Sequence, residues 1–165
     1  MRRALTHRSC NDDCEWESPK TIDEWKRDPS KKLDVLVDLV AYHIAGDGRP
    51  PMELGPDGNV HPPKALDMEE KVTGSPDKIV IFAAWPSSNE QILDVLSVYG
   101  IRNVVTVNGK MSPKARKAAV DQFKMPDGPR IMILSGVGTT GLNLQIAHIL
   151  IIVVSLLNFV LNQTQ

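Results

Sequence analysis

Eleven consecutive residues, Leu134-Ser135-Gly136-Val137-Gly138-Thr139-Thr140-Gly141-Leu142-Asn143-Leu144, combine three glycines with hydroxyl and amide side chains. A backbone without Cβ lets its N–H groups approach an anion closely, and the hydroxyls add donors. The loop follows Arg130-Ile131-Met132-Ile133-Leu134, an apolar run that reads as a buried strand. Loops at the carboxyl ends of strands are where open α/β sheets bind ligands. A second group lies upstream. Residues 108–125 carry Lys110, Lys114, Arg116, Lys117 and Lys124 against Asp121 alone, a local charge of +4. Such a cluster suits phosphate contacts that position a protein on a polyanion without reading sequence.

The elements that must position these groups are legible from residue 30 onward. Ser30 opens a helix in which Leu33, Leu36, Val37, Val40 and Ile44 recur at helical spacing, with Gly46 as its stop. Residues 46–77 hold Gly-Arg-Pro-Pro, Gly-Pro-Asp-Gly and His-Pro-Pro, which predicts an irregular insertion or hinge. Lys78 to Ala83 is a strand apolar on both faces. Ser87-x-x-Glu90 predicts a capping box for a helix with Ile92, Val95, Leu96 and Tyr99 on one face. Asn103 to Val107 is the next strand. Ser112 caps a helix with Pro113 in its first turn and Ala119, Val120 and Phe123 buried. Ile131 to Leu134, a short helical turn over Leu142 to Ala147, and a strand from Ile149 to Val154 complete the series. Alternating strands and helices predict a parallel α/β sheet.

Composition narrows the function classes. The 165 residues carry a net charge of −1, which hides a strongly uneven spread: −4 over residues 30–77 and +4 over 78–130. Cys10 and Cys14 are the only cysteines, too few for a disulfide framework or a four-ligand zinc site. The N-terminus lacks the apolar stretch of a secretory signal. Residues 1–29 are polar and mixed in charge, and are expected to be a poorly ordered lead-in. Asp23-Glu24-Trp25-Lys26 looks like a magnesium-binding acidic box, but Pro19-Lys20-Thr21-Ile22 is not the buried strand that such a box must end.

Gly136-x-Gly138-x-x-Gly141 also fits the dinucleotide-binding fingerprint. That fingerprint needs an acid about 20 residues on, and no Asp or Glu follows Asp127. Nor does the sequence contain Gly-x-x-x-x-Gly-Lys-Ser/Thr, the cradle of P-loop nucleotide hydrolases. Leu142 to Leu161 is uncharged and of membrane-spanning length, but it is interrupted by Asn143, Gln145, His148, Ser155 and Asn158 and lacks a flanking basic cluster. A Rossmann-type domain and a tail anchor are therefore the lesser readings, and no membrane partner is expected.

The order of pieces resembles the second RecA-like lobe of the superfamily-two helicases, most closely the Swi/Snf-type DNA-dependent ATPases. Ser30-x-Lys32 before an amphipathic helix, then Lys78-Ile79-Val80-Ile81-Phe82-x-x-Trp85, is similar to the family's lead-in and motif IV. Asn108-Gly109-Lys110-Met111-Ser112 with Arg116 and Phe123 resembles its next segment, and Ser135 to Leu144 resembles motif V. The resemblance implies a RecA-like lobe over residues 30–154, with an insertion at 46–77 and a divergent tail at 155–165. It implies that Gly138, Gly141, Leu142 and Asn143 face nucleotide. Lys110, Ser112, Lys114, Arg116, Lys117, Thr139 and Thr140 would hold DNA phosphates. ATP with magnesium would serve only a complete two-lobe enzyme, so no cofactor or metal is expected for this chain alone. DNA and a first RecA-like lobe in trans are the implied partners, in the nucleus. The family's motif VI, with its paired arginines, is not matched: no arginine follows Arg130. The expectation is a truncated lobe without catalytic residues of its own, or a non-catalytic interaction module.

Overall fold

Thr21 starts the first helix, α1 (Ile22–Arg27), by accepting a hydrogen bond on its hydroxyl from the Glu24 N–H at 3.1 Å. The Glu24 carboxylate in turn accepts from the Lys20 N–H at 2.7 Å. The helix delivers Trp25 into the core at 2 % exposure, where its indole N–H bonds Asp34 Oδ1 at 2.7 Å. Half-buried Trp16 bonds Asp94 Oδ2 at 2.8 Å. Of the stretch expected to be a poorly ordered lead-in, the described part, residues 16–29, sends Trp16 and Trp25 into the core, while most of its other side chains are exposed. The reason is tertiary: an indole finds an apolar site and a carboxylate that local pattern does not reveal. Asp23 and Glu24 sit on this helix, not at the end of a strand.

The computed structural model describes residues 16–63, 76–84, 87–136 and 144–153, apart from the Ser87 side chain. Helix α2 (Lys31–Ile44) buries Leu33, Leu36, Val37, Val40 and His43. The insertion after it is not wholly irregular. β1 (Glu53–Leu54) and β2 (Val60–His61) pair antiparallel, and Asp57 holds the tip by accepting from Asn59 N at 3.0 Å and Asn59 Nδ2 at 2.7 Å. Two-residue strands are too short to leave a periodic signal, which is why the sequence read as loop.

The main sheet has β3 (Ile79–Ala83), β4 (Val104–Val107), β5 (Ile131–Ser135) and β6 (Ile149–Val153), connected through α3 (Ser87–Val98) and α4 (Pro113–Lys124). All pairings are parallel, in the order β4-β5-β3-β6, with Ile79 opposite both Ile131 and Ile149. This is the α/β sheet expected from the strand pattern. Residues alternate between faces along each strand, so Ile79, Ile81, Ile131, Ile133 and Val153 pack with α1, α2 and α3. Val80, Met132, Leu134 and Val107 pack with Ala119, Val120 and Phe123 of α4. Helices thus cover both faces. The exception is β6, where Leu150 and Ile152 are 62 % and 56 % exposed.

Two cations of the basic middle stretch are used internally. Lys78, 1 % exposed, donates to the carbonyls of Met125 (2.8 Å), Gly128 (3.1 Å) and Pro129 (3.1 Å), beside the Phe123 ring. A cation at a helix C-terminus meets carbonyls that have no partner within the helix. Arg130 donates to the carbonyls of Asp77 (3.1 Å), Ile44 (3.1 Å) and His43 (3.4 Å) and to Asp47, clamping the end of α2 to the base of the sheet.

Candidate nucleic-acid interface

Because β3, β4, β5 and β6 are parallel, their carboxyl ends share one edge, where the basic turn follows β4 and where Ser135 ends β5 and Gly136 follows it, the described start of the glycine loop. The register of β3 with β5 ends at Ala83 opposite Ser135. Beyond it Gly136 takes φ +51°, in the left-handed region that glycine enters without a Cβ penalty. The chain leaving β3 enters α3 on one face of the sheet, while Leu144, Ile146 and Ala147, beyond the loop that leaves β5, pack on the other. Adjacent strands whose connections depart to opposite faces leave a crevice between them. At the carboxyl end of β5, Asn89 from α3 donates through Nδ2 to Ser135 Oγ at 3.0 Å. Both side chains are buried, and Asn89 Oδ1 has no partner. Sequence reasoning missed Asn89, whose only signal was its position in a helix's first turn after an apolar strand.

Gly138, Thr139, Thr140, Gly141, Leu142 and Asn143, on which the nucleotide and motif V expectations rest, lie outside the described residues, as does Trp85. The Ser87 side chain, expected as a cap, lies outside them as well. α3 itself begins at Ser87.

The second group is fully described. After β4, Asn108 folds the chain back: its Oδ1 accepts from Lys110 N at 3.0 Å and its carbonyl from Met111 N at 3.3 Å. Ser112 is the N-cap of α4, accepting from Ala115 N at 3.2 Å, with Pro113 at the first position. Its hydroxyl keeps a proton to donate, because the cap uses only a lone pair. The first turn of α4 holds no acid. Lys110, Ser112 and Lys114 are exposed together there. Their charge adds to the positive end of the helix dipole.

The other basic residues are not equivalent. Lys117 donates to Asp121 Oδ2 at 2.8 Å, and that hydrogen bond, then the carboxylate's charge, raises the Lys117 pKa. It stays protonated, but its charge is largely offset locally. Arg116 is half-buried; its Nη2 reaches back to the Met111 carbonyl at 3.4 Å, and its Nε is shielded without a hydrogen-bond partner. Burial lowers the Lys78 pKa, Arg130 nearby lowers it further, and Asp127 opposes both. The +4 of the middle stretch therefore overstates what the surface presents, since Lys78 and Arg130 point inward.

The arrangement can hold phosphate oxygens through exposed ammonium groups, a hydroxyl and a helix end. Among the described residues no three His, Cys, Asp or Glu side chains group as metal ligands. Among them too, no helix is long and apolar enough to cross a membrane.

The family profile described as helicase conserved C-terminal domain matches residues 64–159, more than half of the 165. The chain belongs to the helicase C-terminal domain family. The match spans the sheet from β3 to β6 and both groups on its carboxyl edge, and the superfamily-two lobe expected from the motif order is the family found. In that family ATP and magnesium serve the full enzyme. Among solved structures, the C-terminal part of the Fun30 ATPase domain is similar at 25 % identity with a TM-score of 0.48. That similarity covers 79 % of this chain and 33 % of the other, so the matched region is about a third of that solved chain. No match was found among curated proteins.

Proposed function

We propose that this helicase C-terminal lobe grips a DNA strand by its phosphates along the carboxyl edge of its sheet. It would act as the second lobe of a Swi/Snf-type DNA-dependent ATPase in the nucleus. The observation that carries the reading is the turn and helix start at residues 108–114. There Lys110, Ser112 and Lys114 are each exposed with no acid in the first helical turn, on the edge where the glycine loop also begins. The Swi/Snf assignment is supported by the motif order from Ser30 to Leu144.

In this reading the DNA contacts are electrostatic and independent of sequence. Nucleotide is held chiefly by a first lobe, with Gly138, Gly141, Leu142 and Asn143 approaching it, and Thr139 and Thr140 adding bonds to DNA phosphate. The 165 residues contain no Gly-x-x-x-x-Gly-Lys-Ser/Thr, so the first lobe must supply the phosphate cradle.

The test is fluorescence anisotropy with a labelled DNA oligonucleotide at several salt concentrations. Lys110→Glu with Lys114→Glu should abolish binding, and extending the set to Arg116 and Lys117 should give no recovery. Affinity unchanged by the double substitution would end the nucleic-acid reading.

A further inference from the structure

We propose that Arg116 is a positioning residue that shapes the 108–112 turn through the Met111 carbonyl, and does not itself hold a phosphate. The inference rests on the nucleic-acid reading for its consequence, though not for its geometry. A guanidinium grips a phosphate best through two parallel N–H bonds from one edge of its fork. Of the fork's two edges, Nε/Nη2 is turned into the protein: Nε is shielded from solvent, and Nη2, which the end-on Nη1/Nη2 edge also needs, donates to the Met111 carbonyl at 3.4 Å.

Arg116 stands in the second turn of α4 and reaches back over the first. Its own N–H bonds the Ser112 carbonyl at 2.9 Å, so its backbone is fixed by the helix it helps to anchor. Met111, the residue it holds, also donates to the Asn108 carbonyl and packs against the α4 side of the core. The Met111 peptide is therefore tied on both sides, to Asn108 by its N–H and to Arg116 by its carbonyl. Lys110 and Ser112, its neighbours in the chain, take their places from it. The exposed ammonium groups are then the phosphate ligands, and Arg116 sets the frame that presents them.

Two measurements on the 165-residue chain separate the roles. The first needs no nucleic acid: hydrogen exchange of the Lys110 and Met111 amides. Arg116→Gln should speed it and Lys114→Gln should not, while protection of Ile131 to Leu134 confirms that the sheet is intact. The second is the salt dependence of DNA binding. A lost phosphate contact reduces the slope of log K against log salt by about 0.9 on duplex DNA. Lys114→Gln should show that reduction. Arg116→Gln should weaken binding several-fold with the slope unchanged. Either unaltered exchange in Arg116→Gln, or a slope reduced as in Lys114→Gln, overturns the proposal. Failure of the wild-type chain to bind DNA would remove the functional reading, and the exchange result would still decide the role of Arg116.

Discussion

His43 is an ionisable side chain committed to the core, 4 % exposed, with Nδ1 lacking a hydrogen-bond partner. Burial lowers its pKa; Asp77 opposes the effect and Arg49 adds to it. The unfolded chain therefore takes up the proton first, near the ordinary value of 6.5. Stability from this site is complete above that pH and falls as pH drops toward the depressed folded value, because there the unfolded state binds more protons. Urea denaturation between pH 7.5 and 5 should show this slope in the wild type. It should be flatter in His43→Leu, which keeps an apolar group of similar size. Neither this residue nor Arg130 was legible as structural from sequence. A lone histidine on an amphipathic helix has no local mark of its burial, and an arginine before a strand has none of the carbonyls and the carboxylate that meet it from 53 to 87 positions away.

At the scale of elements, α4 joins the candidate interface to the core. Its outer positions carry the charges, and its inner positions bury Ala119, Val120 and Phe123, the last fully enclosed. Phe123→Ala should cost about 3–5 kcal/mol, as large-to-small core changes do, and a shift in the denaturation midpoint without a change in slope would measure it. β3, β5 and α2 were readable because burial on both faces, or at helical spacing, leaves a pattern in the residues themselves. Helix α1 was not, since one tryptophan decides its packing. The β1–β2 hairpin was too short to show. At the interface, the sequence revealed the clustering of Lys110, Lys114, Arg116 and Lys117 but not their inequality. That depends on Asp121 lying one turn from Lys117 and on the Met111 carbonyl lying within reach of Arg116.

At the scale of the molecule, the lobe carries an exposed basic cluster at residues 110–117 but, among the described residues, no metal-ligand group, and its sequence has no phosphate cradle. The purified 165-residue chain should therefore give only background ATP turnover with magnesium and DNA, measured by phosphate release. Clear turnover would contradict the assignment of nucleotide chemistry to another lobe. β6 presents Leu150 and Ile152 to solvent at one end of the described sheet, and no charged residue follows Arg130. Unguarded apolar edge strands promote association. Leu150→Lys with Ile152→Glu should raise the soluble fraction and reduce light scattering, while leaving DNA affinity within experimental error, because β6 lies at the opposite end of the strand order from β4, which leads into the 108–114 turn.

The order β4-β5-β3-β6 also sets a timetable for synthesis. The first strand of the main sheet to leave the ribosome, β3, ends between the two made last, with β5 beginning at Ile131 and β6 at Ile149. At about 5–20 residues per second, roughly 3–10 seconds pass between translation of Ala83 and of Ser135. For that interval Ile79 to Ala83 has neither of its eventual neighbours, and helices α1 to α3 have only β3 and, once it is made, the unpaired β4 to cover. Nascent chains halted before β5 should thus be readily cut by protease, and resistance should arise abruptly once β5, and then β6, has emerged.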